Sequence, residues 1–204
     1  LNFHYLHAET RLGDPFVKIG SKHEISDWPG AISKAAEGLS RFKGEEVAVI
    51  GSGRMTNEEL HLLRRLADTL ETDLLSLVPR VEESDGKLIS ADRNPNTSGA
   101  KLIWASRNPY AKLESIRQGV VDGKIKALIV FYEDLLGDAQ FKADDLANLD
   151  VLVSNHILTN GTAKASDVVL PGAGFAEKRG SLVNITGRLQ RLNQAISPPP
   201  GAMD

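Results

Sequence analysis

Apolar residues in this chain form short continuous runs, and between the runs they recur at helical spacing. A strand buried on both faces is apolar without alternation, so each run bounded by turn residues predicts a buried strand. The predicted strands are residues 47–50, 73–78, 127–131, 151–153 and 168–170. Because they alternate with helices, the pattern predicts an α/β fold: a doubly wound, mostly parallel, Rossmann-like sheet with helices on both faces.

Three longer helices are predicted from stripes of apolar residues spaced three or four apart. The stripes are Ile32, Ala35, Ala36 and Leu39, ending at Gly44; Leu60, Leu63, Ala67 and Leu70, widened by Leu62 and Leu66; and Leu113, Ile116, Val120 and Val121. Shorter helices are expected near 100–105, 141–149 and 159–165. Thr56 opens a T-N-E-E sequence, which is typical of a capping box at a helix start.

The regular alternation is flanked by less regular ends. Residues 1–30 are interpreted as a lead-in segment with a short edge strand near 15–20, and residues 31–196 as the Rossmann-like domain. Within an irregular C-terminal extension, 181–185 and 188–192 are predicted to be extended segments around a turn. Residues 197–204 are interpreted as a proline-rich exit.

Composition narrows the chemistry that this chain can perform. The 24 Lys and Arg residues are balanced by 27 Asp and Glu residues, which argues against a strongly basic nucleic-acid binder. No cysteine is present, which excludes thiolate-held iron–sulfur clusters and a cysteine nucleophile within the chain. No apolar run is long enough to cross a membrane.

The strongest local signal for a binding site is the segment VAVIGSGRMTNEE. A buried strand leads through two glycines to a helix N-terminus, where backbone N–H groups and the helix dipole favour an anion such as phosphate. The candidate cofactor-binding residues are Gly51, Ser52, Gly53, Thr56 and Asn57. Thr56 occupies the third glycine position of the dinucleotide fingerprint, so a tight connection without a ligand remains an alternative.

Two further groups of residues follow predicted strands. Glu133 and Asp134 are candidates for binding a metal or a sugar hydroxyl, or simply for capping the next helix. His156, with Ser154 and Asp167 nearby in sequence, suggests a catalytic triad, although no G-x-S-x-G elbow accompanies it and an ordinary loop histidine is the alternative. We therefore assign no catalytic and no metal-binding residue.

The C-terminal segment resembles the molybdopterin oxidoreductase superfamily, and most closely the family of the large (G) subunit of NADH–quinone oxidoreductase. The matching positions are Asp167–Pro171 for A-D-V-V-L-P; Phe175, Glu177 and Gly180 for F-x-E-x-x-G-T; and Asn184, Gly187, Arg188 and Gln190 for N-x-E-G-R-x-Q. Ser181 and Thr186 stand in place of the usual Thr and Glu. The turn GSGRMTNEE and the loop from Asn96 to Ala100 resemble two further family motifs, so the similarity covers about residues 11–201.

The resemblance implies a domain of a respiratory complex I subunit that takes part in electron transfer from NADH to quinone. In such proteins iron–sulfur clusters are held by cysteines in other domains, so no cofactor is expected in this chain. The expected role is structural, within an excised or truncated piece. Expected partners are other domains and subunits of the oxidoreductase, without nucleic acid or direct membrane insertion. The expected location is cytoplasmic, peripheral to the inner membrane through those subunits.

Two alternatives remain open from the sequence. In the first alternative, the chain is a pterin- or nucleotide-binding domain of a molybdopterin-dependent oxidoreductase and holds the cofactor at Gly51–Asn57 and the loop 92–100. In the second, it is a stand-alone nucleotide-dependent enzyme. A piece of a larger subunit is also expected to expose an apolar patch. The candidates for that patch are Phe3, Tyr5, Leu6, Trp104, Tyr110 and Phe175.

Overall fold

A computed structural model describes residues 4–137 and 139–203. The strands are β1 (Phe16–Ile19), β2 (Lys22–Ile25), β3 (Val47–Gly51), β4 (Leu75–Leu77), β5 (Ala127–Phe131), β6 (Val151–His156), β7 (Val168–Pro171), β8 (Gly180–Val183) and β9 (Leu189–Leu192). The α-helices are α1 (Trp28–Leu39), α2 (Asn57–Thr69), α3 (Thr97–Ile103), α4 (Leu113–Val121), α5 (Ala143–Leu146) and α6 (Gly161–Ala165). Short 3₁₀ turns lie at His4–His7 and Gly44–Glu46.

Seven of these strands form one sheet in the order β2-β1-β7-β6-β5-β3-β4. The strands from β3 to β7 run parallel, whereas β1 is antiparallel to both β7 and β2. The chain turns from β3 outward to β4 in one direction and to β5, β6 and β7 in the other, as a doubly wound sheet does. The mostly parallel α/β fold predicted from the alternation of strands and helices is therefore confirmed.

The sheet separates two apolar cores. One face packs against α1 and α2 through residues such as Ala31, Leu60 and Leu63. The other face packs against α4 and α5 through residues such as Ile116 and Leu146. Because alternate residues of each central strand point into opposite cores, β3 and β5 have to be apolar throughout, which explains their uninterrupted runs.

The buried face of α1 is rotated from the predicted one. Ala31 and Ala35 are buried, while Ile32 is 48% exposed. Small residues let the helix lie close to β6 and β7, which a branched side chain at that face would prevent. The helix also ends at Leu39 with Ser40 as its C-cap, not at Gly44.

Leu62 on α2 was predicted to widen the buried stripe, but it is 60% exposed. The helix buries Leu60, Leu63 and Ala67, and one apolar stripe is enough to cover the sheet face it lies on. Val121, at the end of α4, is likewise 38% exposed.

The edge of the sheet differs from the prediction. The strand expected near 15–20 is β1, and it lies between β7 and β2 rather than at the edge. The edge strand β2 was missed because its sequence, K-H-E-I, has no apolar run. A charged sequence of this kind suits an edge, since it discourages pairing with another sheet.

The C-terminal segment, as far as Met203, lies against the domain. The Trp28 indole N–H donates to the Gly201 carbonyl over 2.7 Å, and Met203 forms a parallel bridge with Gly172 beside β7. The predicted boundaries at residues 30 and 196 stay predictions, although β1 and β2 precede the first of them. Among the described residues no helix is long and apolar enough to span a membrane.

Candidate functional site

The predicted binding turn connects β3 to α2. Gly51 is the last residue of β3, and Thr56 is the N-cap of α2. The Thr56 hydroxyl accepts from the Glu59 backbone N–H over 3.2 Å, and the Glu59 carboxylate accepts from the Thr56 N–H over 2.6 Å. The predicted capping box is confirmed, and it places a carboxylate at the helix N-terminus where an anion would otherwise bind.

The loop 92–100 packs directly against this turn, so the structure brings the two predicted segments together. The Asn96 backbone N–H donates to the Gly53 carbonyl over 2.9 Å, and its side-chain amide donates to the Met55 carbonyl over 2.8 Å. A Cβ added at Gly53 would lie 2.5 Å from the Asn94 side chain. Gly53 thus makes room for Asn94 of the same chain.

In open α/β sheets ligands bind where the strand order reverses, here between the carboxyl ends of β3 and β5. In this chain an ion pair lies next to that position. Arg80 donates to both carboxylate oxygens of Glu133 over 2.8 and 2.5 Å, and the Glu133 side chain is fully buried. Arg80 also lies 3.4 Å from the Asn94 side-chain oxygen, which joins this pair to the loop 92–100.

A second buried ion pair joins the start of α2 to the C-terminal segment. Lys178 donates to both carboxylate oxygens of Glu59 over 2.8 Å, and its side chain is 3% exposed. The Tyr132 hydroxyl donates to the same carboxylate over 3.1 Å, and the Lys178 ammonium lies 4.4 Å from the centre of the Tyr132 ring. The capping carboxylate is therefore neutralised by a residue of the chain itself.

The hairpin β8–β9 rests on the same helix start. The Ser181 backbone N–H and hydroxyl donate to the two Glu58 carboxylate oxygens, each over 2.8 Å. The Val183 N–H donates to the Asn96 side-chain oxygen over 2.8 Å. Burial alone would raise the pKa of Glu58, but hydrogen bonds from its own N–H and from Ser181 outweigh it and hold that pKa below the ordinary value.

These contacts decide whether a phosphate or a pterin fits at the turn. The N–H groups of Ser52, Arg54, Met55, Thr56 and Glu59 have acceptors within the chain, whereas those of Gly53 and Asn57 have none among the described residues. The turn also carries the Glu58 carboxylate, which accepts from neutral donors such as those of Ser181 and therefore repels an anion, and the loop 92–100 covers the turn on one side. The residues present therefore do not fit an anionic cofactor at the turn in this conformation, and we derive no chemistry through one.

The other candidates have structural partners. Asp134 accepts from the backbone N–H and the hydroxyl of Thr162 at the start of α6, whose N-cap is Asn160, and not from the next helix, α5. The Ser154 hydroxyl accepts from Ser166, while Asp167 accepts from the Leu152 N–H. His156 contacts the backbone of Leu158, so the structure forms no triad from these residues. No group of three potential metal ligands occurs among the described residues.

The residues proposed for an exposed patch divide into two sets. Trp104 and Tyr110 pack partly buried against the core, and the Trp104 indole donates to the Leu60 carbonyl over 3.1 Å. Phe175 is 49% exposed, with its ring 6.1 Å from that of Tyr5. Phe3 lies outside the described residues. Of these candidates for the apolar patch, Trp104 and Tyr110 are partly buried, because the Trp104 side chain covers α2, and Phe175 is exposed.

Sequence reasoning missed Arg80 and Lys178, although both anchor the site. Arg80 lies in an irregular loop, where no periodicity marks a side chain as buried. Lys178 follows Glu177 within the segment that carries the family resemblance, and that position was its one signal. Glu177 is itself buried in an ion pair with Arg11, so two adjacent charged residues hold two distant parts of the chain.

Comparison with known proteins finds relatives among the same oxidoreductases that the C-terminal motifs resemble. The chain is 43% identical over 58 residues to F420-dependent formate dehydrogenase 1 subunit alpha of Methanococcus maripaludis, covering 28% of this chain and 9% of that protein. It is 30% identical over 122 residues to the mitochondrial NADH-ubiquinone oxidoreductase 78 kDa subunit of Candida albicans, covering 56% and 16%. It is 36% identical over 106 residues to the G subunit of the NADH-quinone oxidoreductase of Shewanella oneidensis, covering 50% and 11%.

Each of these matches spans less than a fifth of the relative's length. A model of the molybdopterin oxidoreductase family matches residues 80–203, which include the loop 92–100, both buried ion-pair partners Arg80 and Lys178, and the hairpin. Since this match extends over more than half of the sequence, the chain belongs to the molybdopterin oxidoreductase family.

Proposed function

We propose that this chain is a structural and assembly domain of a large subunit of the G type in an NADH–quinone oxidoreductase. It supports electron transfer from NADH to quinone in respiratory complex I without holding a redox centre of its own. Its partners are the neighbouring domains and subunits of that oxidoreductase. Its location is cytoplasmic, peripheral to the inner membrane through those subunits.

The observation that carries this proposal is the closure of the strand-to-helix turn by the chain's own residues. Glu59 caps α2 and is paired with Lys178, while Asn94 and Asn96 pack against Gly53 and Met55. The absence of cysteine from the sequence removes the usual ligands of iron–sulfur clusters. Both features suit a domain that contributes surface and rigidity.

The alternative is a domain that binds a pterin or its nucleotide phosphates at Gly51–Asn57 and the loop 92–100. The similarity to formate dehydrogenase alpha subunits supports it, with 43% identity over 58 residues, against 30% over 122 residues for the NADH-ubiquinone oxidoreductase 78 kDa subunit. The Glu58 carboxylate at the turn and the pairing of Glu59 with Lys178 oppose it. A stand-alone nucleotide-dependent enzyme is supported by the G-S-G sequence alone.

Assembly is tested in the intact oxidoreductase that contains this chain. Lys178→Met is expected to lower the amount of assembled enzyme, with NADH–quinone activity per assembled complex unchanged. Lys43→Met is the matched control, because the Lys43–Glu71 pair is exposed. Normal assembly with a loss of activity per complex would contradict a structural role.

The alternative is tested by titrating the 204-residue chain with guanosine diphosphate and with inorganic pyrophosphate while recording its amide NMR spectrum. We expect no saturable change at Gly51–Asn57. Saturable shifts of those amides, lost in Gly53→Ala, would support a phosphate site instead.

Elemental analysis and absorbance spectra are expected to find no stoichiometric iron, molybdenum or flavin in the chain. Stoichiometric metal that is needed for folding would contradict this expectation.

A further inference from the structure

The two strands of the β8–β9 hairpin use their outer edges differently. The Asn184 N–H donates to the Arg188 carbonyl, so the alternation of an antiparallel pair directs the backbone groups of residues 181, 183, 189 and 191 outward. On β8 the outward N–H groups of Ser181 and Val183 donate to Glu58 and Asn96. On β9 the outward groups of Leu189 and Arg191 meet no backbone partner within the described chain.

An open groove of about 480 Å³ lies between this hairpin and the start of α2. Its lining residues are Glu58, Arg179, Gly180, Ser181, Leu189 and Arg191. Both Glu58 oxygens accept from Ser181, and the carboxylate keeps its charge, so the lining sets one carboxylate against two guanidinium groups. Arg179 and Arg191 have no ion pair or side-chain hydrogen bond among residues 4–137 and 139–203. The groove therefore presents two guanidinium groups that have no partner in the part of the chain that the structure describes.

The charge around the groove contrasts with the rest of the chain. Residues 178–203 contain four basic residues and no Asp or Glu, although the whole chain has a net charge of −3. The hairpin also exposes apolar side chains, since Leu189 is 66% and Ile185 is 71% exposed. A free strand edge, unpaired arginines and exposed aliphatic groups thus occur together.

We propose that β9 binds an extended acidic segment of a partner protein, which adds to the hairpin as a third strand. The main chain of this segment pairs with the outward groups of Leu189 and Arg191, as in β-strand addition. Leu189 and Arg191 are two residues apart and share one face of β9, so the alternate carboxylates of the added strand lie on that face. There they pair with Arg191 and Arg179, and the methylene groups of one acidic side chain cover Leu189. This inference rests on the proposed assembly function and names the kind of partner surface that it uses.

A protein strand fits this surface better than a single-stranded nucleic acid does. Nucleic-acid channels combine cations with aromatic side chains on which bases stack. Residues 178–203 contain no aromatic residue. The free strand edge, by contrast, offers peptide groups at a spacing that only another extended peptide matches.

The test uses the full 204-residue chain and a capped synthetic peptide of alternating glutamate and valine, about eight residues long, a common strand length. Binding is followed by amide NMR and calorimetry. We expect saturable shifts at residues 188–192. A peptide with glutamine in place of glutamate is expected not to bind. A glutamate peptide methylated on alternate amide nitrogens is expected to bind weakly, since it keeps its charge but cannot pair along its strand.

Arg191→Gln and Arg179→Gln are each expected to weaken binding about three- to fivefold, as loss of one partly exposed ion pair does. Arg65→Gln, at an exposed arginine on α2, is the matched control and is expected to change nothing. Equal binding of the glutamine peptide, or equal loss in Arg65→Gln, would overturn the proposal. Tighter binding of oligothymidylate at residues 188–192, or a dimer that forms through β9 without peptide, would assign the surface to another occupant.

Failure of this test is distinguishable from failure of the proposed function. Binding of phosphate ligands is measured by the amide shifts at Gly51–Asn57, and assembly is measured by the amount of assembled enzyme in Lys178→Met. Binding of the acidic peptide is measured by the amide shifts of β9. If the chain does not bind the peptide but Lys178→Met still impairs assembly, the proposed assembly function stands and only the docking surface on β9 is wrong.

Discussion

The turn at the end of β3 and the hairpin β8–β9 are in contact, yet they differ in how far their polar groups are paired within the chain. In the turn, the carboxylate of Glu59 and most backbone N–H groups are paired within the chain. On the outer strand of the hairpin, Arg191 and the backbone edge are left unpaired among the described residues. The segment with the strongest binding signal in the sequence is closed, and a segment with little evident chemistry is open.

The difference teaches that a glycine-rich turn before a helix has two uses. Small residues allow a ligand to approach the backbone, and they equally allow a neighbouring loop to do so. Gly53 receives Asn94, and Gly99 receives the side chains of Asn57 and Asn96. The stability that these contacts give to the turn can be measured by mutation. The smaller contribution expected of β9 can be measured in the same way.

Lys178→Met is expected to have the largest effect. It leaves the Glu59 carboxylate partly buried without its cation, and breaking such a pair costs about 3 kcal/mol of unfolding free energy. Chemical denaturation at neutral pH measures the loss. Lys43→Met, in the exposed pair with Glu71, is expected to cost less than about 0.5 kcal/mol. Equal effects would mean that burial of the Lys178 pair has no energetic consequence.

Gly99→Ala is expected to destabilise the chain by about 2 kcal/mol, because a methyl group there collides with the side-chain oxygens of Asn57 and Asn96. Gly13→Ala serves as the control, since its Cβ would meet its nearest neighbour at 4.0 Å. Thermal and denaturant unfolding compare the two variants. A stable Gly99→Ala chain would show that the loop 92–100 is free to move away from the turn.

Thr56→Ala removes the side-chain acceptor of the capping box and is expected to cost about 1 kcal/mol. Thr56→Ser keeps the hydroxyl and is expected to retain most of the stability. The denaturation midpoint at constant slope reports the change. An unchanged midpoint in Thr56→Ala would contradict the role of the cap.

The Glu58–Ser181 contact is expected to weaken in acid. The pKa of Glu58 is lowered in the folded chain, so its contribution is complete above the ordinary value of 4.5 and is lost as the pH falls through the lower folded pKa. The Ser181 amide shift and its hydrogen exchange, followed from neutral pH downward, measure this. In Ser181→Ala the titration of Glu58 is expected to move toward the ordinary value, and an unmoved midpoint would assign the shift to another cause.

Arg191→Gln is expected to have the smallest effect on stability, within about 0.5 kcal/mol, because its side chain has no partner in the described chain. The unfolding midpoint measures it beside that of Lys178→Met. A loss comparable with Lys178→Met would remove the contrast between the closed turn and the open strand.

Sequence by itself determined the elements whose signals are local. The apolar runs of β3 and β5, the capping box at Thr56 and the extended segments of the hairpin were all predicted, because each depends on burial on both faces or on residues a few positions apart. The same local logic failed at β2, a charged edge strand whose place depends on pairing with β1. It failed again at Ile32, where the fit of α1 against the sheet selects which face is buried.

Only the tertiary structure decided what occupies the candidate site. The local pattern at Gly51–Asn57 is the same whether a phosphate or the chain's own residues meet the helix N-terminus. The outcome is set by Asn94, Arg80 and Lys178, which are distant in sequence and act through charge and close packing. The open edge of β9 is likewise invisible in the sequence, since whether a strand is paired depends on which elements lie beside it in space.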